Sequence, residues 1–449
     1  MIDLTQLINK YLIYYPMTIG LGYNLPIELL KYSKSQYYDK DAMKLIQYGK
    51  FKKLVTYAKQ YVPYYKRSFK NIELSDILNI DDINKLPFIS KLNIKEEYNN
   101  FQSDQKIGLK TKKTTGGSTG QPVTIWKSRK SISKELAAMW RGYSWAGIKI
   151  GDKQARFWGV PFAPKDKIRA RLVDIVSNRK RISAFSFDEK NLQKYHLILK
   201  KFKPKYFYGY LSMLVEYAEF IKKNRYENDY ALKSIISTSE VLSPSHRDLL
   251  ETVFSAKVYN EYGCGEVGSI GHECEQGAIH VMSENIYLEI YDGNRKCDLD
   301  EIGEVVVTEL NNYAMPLIRY RIGDYAYISS EDCPCGRKLP IIGNIFGRAY
   351  DTIENREGKL FHGEFFMYMF EDVQKKGMGV EKFQVIQVDY DKFIIKVIPG
   401  NNFSEETIRF IINRFKKEFD INIEIKFEIV DKISREQSGK MRLVVGREK

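Results

Sequence analysis

Between residues 130 and 330 the chain alternates stretches of helical period with short apolar runs, and few folds accommodate that alternation. "SISKELAAMWRGYSWAGI", "LQKYHLILKKF" and "SMLVEYAEFIKKN" carry apolar residues at helical spacing. "QARFWGV", "LKSIISTSE" and "AKVYNEYG" read as short strands, the last two ending in polar residues. Strands alternating with helices predict an α/β sheet, and ligands of such sheets collect where strands end. "STSEVL" and "NEYGCGEVG" stand at such ends, and "IYLEIYD", "GEVVVTEL" and "DYAYIS" follow as antiparallel strands. Residues 1–100 read as mostly helical. "GRAYDTIENREGK", near 347, is polar and turn-rich, as a linker is. Beyond it, "EKFQVIQVDYDKFIIKVIPG" alternates like a hairpin, and "NIEIKFEIV" is another strand. Between them "SEETIRFIINRFKKEF" starts at an N-cap, Ser404, with Ile408, Ile411, Ile412, Phe415 and Phe419 on one face. The expectation is a large α/β domain over 1–347 with an added antiparallel β region, then a small α+β domain over 352–449.

The stretch "KKTTGGSTGQP" (112–122) precedes the alternating region. Its glycines let the backbone turn sharply, and successive N–H groups in such turns make anion-binding concavities. Thr114, Thr115, Ser118 and Thr119 add hydroxyls, and Lys112 and Lys113 add charge, so a polyphosphate suits it. The stretch itself carries neither G-x-x-x-x-G-K-[ST] nor G-x-G-x-x-G. By itself the stretch reads equally as a surface turn.

Composition excludes some classes. The chain has 71 Lys and Arg against 57 Asp and Glu, a formal charge of +14, but the basic residues are spread and no nucleic-acid motif is present. No secretory signal is evident, and residues 11–30, with Tyr, Asn, Gly and two prolines, fit a membrane-crossing helix badly. They read as a buried, Tyr-rich lead-in to the fold, with an interfacial segment the alternative; membrane contact is possible but not expected. Five cysteines, an odd number, point to the reducing cytoplasm.

Four stretches occur in a telling order: the glycine loop at 114–120, "NEYGCGEVG" (260–268), "LIRYRIGDYA" (317–326) and "SGKMR" (438–442). In that order and spacing, over roughly residues 50–445, the chain resembles the adenylate-forming superfamily of acyl-CoA synthetases, adenylation domains and luciferases. "KLPFISKLNIKEEY" (85–98) and "CPCGRKLPIIGNIFGRAYD" (333–351) narrow the likeness to the phenylacetate–CoA ligase family and related capsular polysaccharide biosynthesis proteins.

The resemblance implies ATP- and Mg²⁺-dependent, AMP-forming activation of a carboxylic acid as an acyl adenylate, followed by transfer to CoA. It also leaves open an amine or hydroxyl acceptor on an amino sugar or glycan precursor. It implies a hinge at 348–351, with Asp351 the hinge residue, and a mobile small domain. Thr114, Thr115, Gly116, Gly117, Ser118, Thr119 and Gly120 would wrap the β- and γ-phosphates. Ser239 and Glu240 would line the adenine, Tyr262 with Gly263 would stack on it, Asp324 would hold the ribose hydroxyls, and Arg348 would contact ribose or phosphate. Glu266 would coordinate magnesium, and Lys440 would be the catalytic lysine. The chain departs from the family pattern at Gln121, where lysine is common, and at Cys264, where a hydroxyl or apolar residue is usual.

"RFWGVPFAP" (156–164) would line the acyl pocket, with Trp158 and Phe162 nearest. Cys274, His280, Cys333 and Cys335 have the spacing C-x₅-H … C-x-C, which suits one tetrahedral structural zinc, with His272 a competing ligand. Some relatives in the resembled family carry zinc here. A monomer or homodimer without nucleic acid is expected. The rival of another class is a basic protein that binds nucleic acid or a membrane surface, and it predicts salt-dependent binding indifferent to nucleotide.

Overall fold

The structure is a computed structural model and describes residues 3–114, 123–159, 164–184, 187–227, 230–346, 353–356, 360–361, 366, 369–370, 372–373, 376–419, 422–434 and 442–447. β1 (Lys110–Thr114) and β2 (Thr124–Ser128) pair as an antiparallel hairpin on either side of the glycine loop. Next in the chain come β3 (Gln154–Trp158), β4 (Arg179–Ser183), β5 (Tyr206–Tyr210), β6 (Ser234–Thr238), β7 (Val258–Cys264), β8 (Gly268–Glu273) and β9 (Ile279–Val281). β10 (Ile286–Asp292), β11 (Arg295–Lys296), β12 (Gly303–Glu309) and β13 (Tyr320–Ala326) form a four-stranded antiparallel sheet, ordered β11-β10-β12-β13. β14 (Ile341–Ile342) returns to the main sheet, whose eight strands run β14-β9-β8-β7-β6-β5-β3-β4.

β3 to β7 are parallel to their neighbours, and β7 to β9 and β14 close the sheet antiparallel. Every residue of β5 and β6 is buried, as expected of parallel strands covered on both faces. Phe157, Phe207, Leu214, Tyr217 and Leu250 pack one face beneath the helices Glu189–Phe202, Leu211–Lys223 and Pro244–Phe254. Tyr208, Ile236, Trp140 and Tyr143 pack the other, beneath the helix Arg129–Trp145. Gly209 permits the close approach of β5 to β3, because a Cβ there would sit 2.4 Å from the Phe157 carbonyl oxygen.

A buried ion pair fixes the N-terminal helices to this layer. Arg141, fully buried, reaches Glu284 at 2.5 Å and donates to the Tyr32 carbonyl at 3.1 Å. Breaking such a pair by removing one partner typically costs about 3–5 kcal/mol. The expected buried lead-in is corrected here. Tyr14 and Leu25 are buried, but Leu12, Ile19, Ile27 and Leu30 stand exposed. Leu12 and Ile19 sit on the outward side of a stretch whose inner side carries the buried Gln6, Asn9 and Thr18, whereas the helix of Ile27 and Leu30 turns Leu25 and Tyr32 inward.

Past the main sheet, β15 (Ile353–Glu354) pairs β16 (Leu360–Phe361). β17 (Val380–Asp389), β18 (Lys392–Pro399), β19 (Glu424–Ile429) and β20 (Val444–Val445) form a sheet ordered β19-β18-β17-β20. The expected hairpin is β17–β18. The helix Glu405–Glu418 begins at a Ser404–Thr407 capping box and buries Ile411 and Phe415, followed by Phe419, against this sheet. Ile408 and Ile412 flank that face half-buried.

Candidate active site and a Cys/His cluster

In the main sheet, β3 is followed by β4 on one side and β5 on the other, so the chain reverses direction there and leaves a crevice at the strand ends. Next to it a cleft of about 850 Å³ is lined by the segment after β6, by β7 and by β13. Ser239, Glu240, Tyr262, Gly263 and Asp324 all line this one cleft. Ser239 has φ +72°, a left-handed conformation that turns the chain sharply off the end of β6. Glu240 follows and accepts hydrogen bonds from the Ser212 backbone N–H at 2.5 Å and the Ser212 hydroxyl at 3.0 Å. It caps the helix Leu211–Lys223, whose own N-cap residue makes no side-chain cap. Tyr262 Oη donates to Asp324 Oδ2 at 3.0 Å, and both residues are buried. Gly263 is required by the tight turn into β8, since a Cβ there would meet the Gly268 carbonyl oxygen at 2.4 Å. The opposite wall comes from the C-terminal sheet, with Lys382, Phe383 and Arg442.

Glu266 lies in the turn between β7 and β8, outside the cleft lining. It is buried, yet its carboxylate has no hydrogen bond or ion pair among the described residues. A carboxylate left without a protein partner is open to a hard divalent cation. Lys127 steadies this turn: its ammonium donates to the Val267 carbonyl at 3.3 Å and pairs with Glu309 at 2.7 Å. Burial pushes Lys127 down, but the Glu309 and Glu135 carboxylates outweigh it and hold it above the usual lysine range. Lys113 is not left for a phosphate, because it pairs with Glu135.

Thr114 closes β1, and its hydroxyl faces that of Thr124 at 3.3 Å across the ladder. Trp158 closes β3 at the crevice. Its ring packs on Tyr210 with centroids 4.1 Å apart and on Tyr208 at 5.6 Å. The Arg156 guanidinium lies over Trp158 at 4.8 Å and over Tyr208 at 4.4 Å. Thr115, Gly116, Gly117, Ser118, Thr119, Gly120, Phe162, Arg348, Asp351 and Lys440 lie outside the described residues.

The second constellation sits where β8, β9 and the loop before β14 meet. The ligand atoms of Cys274, His280, Cys333 and Cys335 all fall within 4.8 Å of one another. The Cys274 and Cys333 sulfurs are 3.7 Å apart, and Cys335 Sγ is 3.2 Å from His280 Nε2. A tetrahedral zinc with 2.3 Å bonds to sulfur sets a sulfur–sulfur edge of about 3.8 Å. His280 Nδ1 lies 3.1 Å from the Leu339 carbonyl, the outer contact that turns Nε2 toward a metal. His272 is not part of this group. Its Nε2 faces Glu261 Oε1 at 3.7 Å, and burial holds its pKa below the usual value.

Residues 353–447 match a family described as the CapK C-terminal domain. Protein CapK of Staphylococcus aureus is 27% identical over 416 residues, covering 89% of this chain and 88% of that protein. A phenylacetate-coenzyme A ligase of Thermus thermophilus is 22% identical over 334 residues, covering 70% of this chain and 72% of the relative. A crystal structure of 2-hydroxyisobutyryl-CoA ligase in the postadenylation state superposes with a TM-score of 0.74 at 18% identity, covering 91% of this chain and 90% of that one.

The chain is thus similar in sequence to Protein CapK and to a phenylacetate-coenzyme A ligase, and in fold to a CoA ligase. The expected kinship and the expected α/β architecture are both found. Sequence reasoning missed several neighbours of the site: Ser212 under Glu240, Lys127 under the Glu266 turn, and the Tyr208, Tyr210 and Arg156 group around Trp158. "YFYGY" (206–210) did carry a strand signal in its aromatic run. Nothing in the local sequence marks Lys127 as buried.

Proposed function

We propose that the chain is an enzyme, an ATP-dependent, AMP-forming carboxylate ligase that activates an acid as its acyl adenylate and passes the acyl group to CoA. The cleft carries the reading: one wall is lined by Tyr262 bonded to Asp324, and the other by Arg442, two residues past Lys440. Adenine would lie against Tyr262 and the Ser239–Glu240 segment, and the ribose hydroxyls would donate to Asp324. Arg348 would take ribose or phosphate, and the Thr114–Gly120 loop the β- and γ-phosphates. A carboxylate oxygen of the acid bonds to the α-phosphorus, the bond to the pyrophosphate oxygen breaks, and pyrophosphate leaves. Lys440 would stabilise the charge that develops as these two anions meet. The CoA sulfur, losing its proton, then bonds to the acyl carbon, and AMP leaves. Magnesium, when bound, offsets phosphate charge, and Glu266 is the residue to hold it. The crevice around Trp158, with Phe162, suits an aromatic or apolar acid.

The domain reading goes with this: a large domain over 1–347, a hinge at 348–351 around Asp351, and a small domain over 352–449, supported by the family match at 353–447. A structural zinc on Cys274, His280, Cys333 and Cys335 ties β8 and β9 to the 333–340 loop. None of the five cysteines is joined in a disulfide, which suits the cytoplasm.

The second reading is transfer to an amine or hydroxyl of a glycan precursor, for which the match to Protein CapK along 89% of the chain is slender support. The experiment is pyrophosphate release with ATP and Mg²⁺ across a panel of carboxylic acids, with and without CoA, for wild type and Lys440→Ala. Acid-dependent release that falls on the order of 10²–10³ in the variant supports adenylation. CoA stimulation then selects the first reading over the second. Folded protein that fails to bind ATP in equilibrium dialysis overturns both.

A further inference from the structure

Thirteen of the 26 large apolar side chains that stand exposed among the described residues lie before residue 46, and four more are on the helix Pro164–Val176. They form two stripes. Leu4, Leu12 and Ile19, at 67%, 71% and 58% exposure, line the outer side of the helical stretch 4–20. Ile168, Leu172 and Ile175, at 65%, 60% and 63%, share one face of the second helix at helical spacing. The two helices adjoin, with Asn9 Nδ2 donating to the Val176 carbonyl at 3.3 Å. Both stripes therefore belong to one corner of the molecule.

The first helix is inside out. A helix on a protein surface normally turns its apolar stripe inward. Here the inward groups are polar: Gln6, Asn9 and Thr18 are buried, Gln6 donates to the Ile150 carbonyl, and Tyr14 Oη accepts from Trp140 Nε1 at 2.9 Å. The leucines and isoleucines that would ordinarily fill a core face outward.

Charge identifies the occupant. Residues 4–27 contain no Asp or Glu and one basic residue, Lys10, whose ammonium lies over the Tyr11 and Tyr15 rings at 4.7 and 5.6 Å. Residues 164–181 contain seven Lys and Arg against two Asp, a balance of +5, and Asp174 is already held by Arg179 and Arg181. Apolar stripes edged by tyrosines, with cations and almost no acids, match the headgroup boundary of an anionic bilayer. No described helix is long and apolar enough to cross a membrane, so the fit is to lying on one.

We propose that this corner, built from the helical stretch 4–20 and the helix Pro164–Val176, docks on the surface of an anionic lipid bilayer. On the ligase reading above, the enzyme would then work at a bilayer surface, where an acid or acceptor carried in lipid is concentrated.

Flotation of the full chain with vesicles tests this, using phosphatidylcholine alone and an equal mixture of phosphatidylcholine and phosphatidylglycerol. The wild type is expected to float with the anionic vesicles, far less with the neutral ones, and less as salt is raised. Leu12→Glu/Leu172→Glu places two carboxylates on exposed positions and is expected to lower binding about tenfold or more at an unchanged melting temperature. Ile19→Glu/Ile168→Glu, on the same stripes, serves if the first variant does not fold. No flotation with anionic vesicles, or equal flotation of the variants, overturns the proposal. So does a dimer in light scattering that the variants dissolve, because a second copy then covers this face.

Discussion

The cleft and the Cys/His cluster lie on neighbouring strands yet handle their polar groups in opposite ways. In the cleft, Asp324 is met by Tyr262, and Glu240 is spent on capping a helix. In the cluster, four ligands face mainly one another, and two sulfurs stand 3.7 Å apart without a bond. A site whose guest comes and goes must be stable when empty, so its groups bond to the protein in the interval. A site built for a permanent ion can leave its ligands converging on the ion. Glu266, buried and without a partner among the described residues, follows the logic of the cluster although it belongs beside the cleft.

The largest effect that would break this contrast is loss of a cluster ligand. Cys274→Ala is expected to abolish stoichiometric zinc in elemental analysis and to cost about 4 kcal/mol or more of unfolding free energy in urea. Zinc-free wild type with an unchanged urea midpoint would remove the contrast altogether. Next comes Glu266→Gln, expected to lower pyrophosphate release about 100-fold and to raise the magnesium concentration needed, with little change in stability. A destabilised Glu266→Gln with normal kinetics would return Glu266 to a structural role.

Asp324→Asn removes the charge expected to meet the ribose. It should weaken ATP binding by about 1.5–3 kcal/mol in calorimetry, whereas Tyr262→Phe should cost about 0.5–1.5 kcal/mol. Equal losses would mean that the pair acts only as a fold contact.

The smallest effect concerns pH. Burial lowers His272 below the usual histidine value of 6.5, so in that range the unfolded chain binds the proton more readily than the folded one. Stability is therefore full above pH 6.5 and declines as pH falls below it toward the folded value. His272→Gln should flatten that acid limb of the urea midpoint, and an unchanged limb would assign it to other groups.

Local patterns made much of this legible. The strands ending at Ser239 and in Tyr262 were readable because an apolar run that stops in polar residues is a local signal. The cap at Ser404 was readable for the same reason. The metal quartet was readable from ligand type and spacing, although only the fold brings Cys274 and His280 to Cys333 and Cys335, and it sends His272 elsewhere. β5 was not read, which hid Tyr208 and Tyr210 beside Trp158. The Lys113–Glu135 and Lys127–Glu309 pairs span 22 and 182 residues, and the longer one left no short-range trace.

By itself the sequence determined the α/β class, the ordered motifs and the chemical character of the candidate groups, because periodicity and residue type are local properties. Only the tertiary structure decided which groups share a wall, which charges are already spent and which face of a helix looks outward. The segment 4–20 makes the reason plain. A helix with leucines on one side and Gln6, Asn9 and Thr18 on the other is amphipathic in either orientation. The buried hydrogen bonds of Gln6 to Ile150 and of Tyr14 to Trp140, made across long sequence distances, chose the polar side as the inside.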